Sequence, residues 1–75
     1  MTIPERIKAL REESKPSLNQ KELGKKLHKS QRAISRIETG EAHMKDEDII
    51  AYCKHYNVSA DYILGLPKGL KYPDR

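Results

Sequence analysis

Apolar residues recur along this chain at helical spacing, in short bouts separated by turn chemistry. Ile3, Ile7 and Leu10 stand at i, i+4 and i+7, which predicts a first helix with one apolar face. Thr2 and Glu5 fit a capping box ahead of it. Pro4 is tolerated in a first turn, where its missing N–H costs nothing. Ser14-Lys15-Pro16-Ser17 then ends the helix in a loop. Asn19 and Glu22 form a second cap pair, opening a helix that runs through Leu27 and buries Leu23 and Leu27. Ser30 caps a third helix with Ala33, Ile34 and Ile37 on its inner face, and Gly40 marks its end.

Residues 41–45 read as a loop. Asp46, Glu47 and Asp48 follow, placing negative charge at the positive end of a fourth helix. Its apolar positions are Ile49, Ile50, Tyr52, Cys53 and Tyr56, and Asn57 suits a left-handed C-cap. Ser59 caps a last short helix, Ala60 to Leu64, which Gly65 stops. Leu66 to Arg75, with Pro67, Gly69 and Pro73, reads as an extended tail. With no repeat and no strand signal, the fold class is all-α: a five-helix domain over residues 1–65 and a tail over 66–75.

Composition narrows what such a domain does. Seventy-five residues support one small core, which argues against a deep substrate pocket. Phe and Trp are absent, so the core rests on aliphatic residues, Met and the four Tyr. Cys53 is the single cysteine, which excludes an intramolecular disulfide and suits a reducing compartment. His28, His43 and His55 lack zinc-ligand spacing, so neither a metal nor a cofactor is expected. There is no nucleophile–base set and no phosphate-binding glycine loop, and an enzyme is not expected. No apolar run approaches the roughly 20 residues that span a bilayer, and no secretory signal opens the chain. The expectation is a cytoplasmic protein.

Charge then singles out one segment. From Lys21 to Arg36 there are six basic residues (Lys21, Lys25, Lys26, Lys29, Arg32, Arg36) and one acid, Glu22. That net of +5 leaves −1 for the rest of a chain whose formal charge is +4. A compact positive stripe on an otherwise balanced protein is the electrostatic footprint of a nucleic-acid binder.

The residues carrying the stripe also carry a likeness. Arg6-Ile7-Lys8-x-Leu10-Arg11, then Gln20-x-x-Leu23, then Ser30-Gln31-x-x-Ile34-Ser35-x-Ile37-Glu38-x-Gly40, and finally Val58-Ser59-x-Asp61-Tyr62-Ile63-Leu64-Gly65 resemble the Cro/C1-type (Xre family) helix-turn-helix domain of phage repressors and small bacterial regulators. The likeness covers about residues 5–65. It implies a sequence-specific DNA-binding transcriptional regulator, a repressor by preference, working as a homodimer on double-stranded DNA with an inverted-repeat operator. The third helix would lie in the major groove. Gln31, Arg32 and Arg36 take the base-reading positions, with Ser35 as a weaker one. Gln20 takes the phosphate position at the opening of the second helix, and Lys21, Lys29, His43 and Lys45 are looser backbone candidates. Arg11 and Glu38 match a family pair that forms a partly buried salt bridge. The dimer contact is assigned to Tyr62, Leu66 and Leu70, with Tyr72 a further apolar residue of the tail.

Four positions depart from the family pattern. Gly24 stands where Ala is common, His28 where the turn usually has Gly, and Lys29 where an apolar residue is common. The loop Ser14–Leu18 is about two residues longer than usual. Lys29 is expected to lay its stem along the core and send its charge toward a phosphate. The alternative function is an antitoxin or partner-controlled interaction module with secondary DNA binding, using the apolar residues of the tail.

Overall fold

Four of the five helices start at a cap legible in the sequence, and the fourth in chain order starts at its run of acids. In the computed structural model, which describes residues 1–67 and 70, five helices follow one another: α1 (Ile3–Glu13), α2 (Gln20–Leu27), α3 (Gln31–Thr39), α4 (Asp46–Tyr56) and α5 (Ala60–Leu64). Thr2 Oγ1 accepts from the Glu5 N–H at 3.2 Å while the Glu5 carboxylate accepts from the Thr2 N–H at 3.0 Å. Asn19 and Glu22 repeat this exchange at 2.8 and 2.9 Å ahead of α2. Ser30 and Ser59 cap α3 and α5 through Ala33 and Tyr62. At α4 the acid does the capping: the Lys45 N–H donates to the Asp48 carboxylate at 2.9 Å. Each such cap satisfies N–H groups that the helix itself leaves without partners.

The helices close on Ile7, Leu23, Leu27, Ile34, Ile37, Tyr52 and Ile63, so each of the five contributes to one core. α3 packs on α1 and α2, α4 packs on α2 and α5, and α1 also meets α5. Tyr52 is the largest fully buried side chain. Its burial, and then the charge of Glu38, push its hydroxyl far above the usual tyrosine range, so it stays neutral. Ile50, expected on the apolar face of α4, is exposed. The reason is rotational: it lies about 200° around the helix from both Asp48 and Tyr52, which face inward. Tyr62 and Ile3 are also exposed. Of the tail expected over residues 66–75, Leu66, Pro67 and Leu70 are exposed, while Lys68, Gly69 and residues 71–75, Tyr72 among them, lie outside the described residues.

Two ion pairs hold α3 and the turn before it. Arg11 Nε donates to Glu38 Oε2 at 2.7 Å and Arg11 Nη2 to Glu38 Oε1 at 2.9 Å, a two-pronged bridge from α1 to the end of α3. Both side chains are enclosed, 11% and 2% exposed. Arg11 Nη1 also donates to the Leu18 carbonyl at 3.1 Å, which pins the loop between α1 and α2. The hydrogen bonds that Arg11 donates to Glu38 raise the pKa of its guanidinium further above its already high range. The second pair corrects the expectation for Lys29. Its ammonium turns inward to the Asp48 carboxylate. Burial raises the Asp48 pKa, but hydrogen bonds from Lys29 and from the Lys45 backbone outweigh it and hold the carboxyl below its usual range.

Between these pairs sits the turn from α2 to α3. His28 takes a left-handed conformation, φ 58° and ψ 43°, and its N–H donates to the Gly24 carbonyl. The Lys29 N–H donates to the same carbonyl at 2.7 Å. This draws the Lys29 carbonyl back over α2, to 2.5 Å from where a Cβ on residue 24 would stand. Glycine at 24 is therefore a steric requirement of this turn and not merely a lost increment of helix propensity.

Gly24→Ala is expected to lower stability by about 1–3 kcal/mol, the usual cost of overpacking, although alanine alone would favour the helix by roughly 1 kcal/mol. Urea unfolding measures the sign directly, and an unchanged or raised midpoint would contradict the close approach. Glu38→Ala is expected to cost more, about 3–5 kcal/mol, because it strands the Arg11 charge in an enclosed site. The same unfolding curves decide it: a loss under about 1 kcal/mol would mean that Arg11–Glu38 behaves as a surface pair.

Candidate nucleic-acid interface

The free face of α3 is built from what its apolar stripe leaves over. Ile34 and Ile37 turn into the core together with the Glu38 carboxylate. Gln31, Arg32 and Arg36 are exposed, and Ser35 is half-buried. Gln31 and Ser35 are one helical turn apart, as are Arg32 and Arg36, so the four form one surface. Chemically this surface offers an amide that donates and accepts side by side and two guanidinium forks.

The remaining sequence candidates divide into outward and inward groups. Lys21, Lys25 and Lys26 are exposed on α2, with Lys26 beside His55 of α4. Lys45 is exposed at the head of α4, and His43 is exposed in the preceding loop. His43 also borders an apolar groove with Ile3, Pro4, Met44, Ile49 and Leu64. Gln20 is the first residue of α2, but its side-chain nitrogen is committed inward to Glu38 Oε1 at 3.1 Å. It thereby joins the Arg11–Glu38 bridge and ties the opening of α2 to the end of α3. Lys29 contributes its charge to Asp48 and not to the surface.

Three structural partners escaped sequence reading. Asp48 was read only as a favourable charge on a helix terminus, whereas it is buried and neutralises Lys29. The available signal was Lys29 itself, a cation where the family commonly has an apolar residue, which calls for a counter-charge. The Leu18 carbonyl that receives Arg11 has no side-chain signature at all. Glu41, just beyond α3, lies 3.7 Å from Arg36 Nε. Among the described residues, no helix is long and apolar enough to cross a membrane.

A search of curated proteins finds no match to the chain. Among solved structures, the chain is similar to the P22 c2 repressor protein, crystallised in complex with synthetic operator 9T in the presence of Tl+. The two are 36% identical, the match covers 85% of this chain and 94% of the repressor chain, and the TM-score is 0.75. The model of the Helix-turn-helix family matches residues 7–63, an interval that holds α2, the His28 turn, α3 and both ion pairs. The chain belongs to the Cro/C1-type helix-turn-helix family.

Proposed function

We infer that this protein is a DNA-binding transcriptional regulator that acts as a repressor, with α3 as its recognition helix in the major groove of double-stranded DNA. The observation that carries the reading is the joint one of likeness and surface. A 36% identical repressor is known in complex with operator DNA. The helix that corresponds to the recognition element here presents Gln31, Arg32 and Arg36 outward. A glutamine can bond adenine N6 and N7 together, and an arginine can fork onto guanine O6 and N7. Ser35 adds a hydroxyl at the edge of the same surface. Lys21, with Lys45 and His43 at the flank, would hold phosphates, and the N–H groups at the head of α2 add a positive dipole end for the same purpose.

One subunit of this size contacts too few base pairs to select one operator in a genome, so the reading includes two subunits on an inverted repeat. Their recognition helices would be about 34 Å apart, one turn of DNA. Exposed Tyr62, Leu66 and Leu70 are among the apolar residues available for that pairing. Repression then follows from occupancy of the operator, without catalysis, and the work belongs in the cytoplasm.

Binding should weaken linearly in log K against log salt, with a slope near −0.9 for each phosphate contact on duplex DNA. Titrations between low and physiological salt measure it, and salt-indifferent binding would reject the positive surface as the source of affinity. Gln31→Ala and Arg36→Ala should each lose about 1–3 kcal/mol of discrimination at one base pair per half-site. Lys21→Ala should instead weaken every sequence alike, since a phosphate carries no base identity. Selection from a random duplex pool with each variant tests both roles. A changed preference with Lys21→Ala and an unchanged one with Arg36→Ala would reverse the assignment.

A further inference from the structure

Arg36 is the last cation on the outward face of α3, and a carboxylate stands beside it. Gly40 ends the helix in a left-handed conformation with φ 85°, and the Ala42 N–H donates back to the Arg36 carbonyl at 3.1 Å. The chain between them therefore folds over the last turn of α3 and sets Glu41 next to Arg36 by backbone geometry. Glu41 Oε2 lies 3.7 Å from Arg36 Nε, with the two side chains 67% and 51% exposed. The approach of the carboxylate is to Nε, and the guanidinium carries further donors on its Nη groups. An exposed pair of this kind contributes little to folding. It does change what the guanidinium attracts.

We propose that Glu41 is a positioning residue that sets the specificity of Arg36, an inference that rests on the base-reading role given to Arg36 above. Two physical effects act together. The carboxylate restricts the guanidinium to orientations in which its fork points away from Glu41, lowering the ordering cost of a two-pronged contact with guanine O6 and N7. It also offsets the point charge that would draw Arg36 to any phosphate, and its own charge is repelled by the DNA backbone. Non-specific binding loses more than specific binding does, and the ratio between them rises. Specificity of this sort comes from a repulsive element placed beside an attractive one.

The test is a double-mutant cycle with Glu41→Gln, Arg36→Ala and the double variant in the full chain. Affinities are measured by fluorescence anisotropy on a selected site, on that site with the Arg36 base pair changed, and on a random duplex. Glu41→Gln should tighten random-duplex binding by about two- to fivefold, the range an exposed charge pair transmits. It should also reduce discrimination at the Arg36 base pair while leaving the urea midpoint unchanged. Glu41→Asp, which keeps the charge, should restore most of the discrimination. In the Arg36→Ala background, Glu41→Gln should no longer alter discrimination. If Arg36→Ala loses discrimination but Glu41→Gln retains it, the Glu41 proposal fails and the base-reading role stands. If Arg36→Ala itself leaves discrimination unchanged, the base-reading role fails first and the proposal falls with it.

Discussion

A single enclosed carboxylate sets the geometry of this domain. Glu38 sits at the end of α3 with its side chain almost wholly inside, and three donors from two other helices converge on it: two from Arg11 and one from Gln20. A charge in that position is tolerable only if its oxygens are filled, and filling them fixes where α1 and α2 stand relative to α3. Through Leu18 the same guanidinium also fixes the loop that leads into α2. The apolar core supplies most of the driving force for association of the helices, but it is non-directional. Direction comes from the carboxylate.

The cations named above consequently differ in ways that composition cannot separate. Arg11 and Lys29 are consumed by Glu38 and Asp48 and serve the fold. Lys21, Lys25, Lys26 and Arg32 stay on the surface, where their field can reach a polyanion. Arg36 lies between the two groups, outward but beside Glu41. The positive stripe read from residues 21–36 is thus weaker at its centre than a residue count suggests. What remains lies on α2 and on the outer face of α3.

How much of this was legible depends on the range over which each feature is encoded. Thr2 with Glu5, Asn19 with Glu22, Ser30 and Ser59 act within three residues, so the caps and hence the helix limits stood in the sequence. The left-handed turn at Asn57 was legible for the same reason. Arg11 and Glu38, 27 residues apart, were legible only through family likeness, since local chemistry gives each an ordinary surface role. Asp48 shows the limit. Its place in the first turn of α4 explained it without reference to Lys29, so the one signal of its burial lay in the other residue. Ile50 failed for a related reason: hydrophobicity alone does not say which way a helix is rotated when apolar residues occur on more than one side.

The turn at His28 has a consequence for the order in which the domain assembles. Its decisive contacts, the Gly24 carbonyl with the His28 and Lys29 N–H groups, close over only a few residues of chain. The bridge that straps α1 onto α3 must close a much longer loop before any of its hydrogen bonds form, and loop closure grows costlier with length. The turn between α2 and α3 thus closes the shorter loop, while the placement of both helices is completed only when Gln20 and Arg11 reach Glu38. The bridge from α1 closes the longer loop and carries the larger entropic cost.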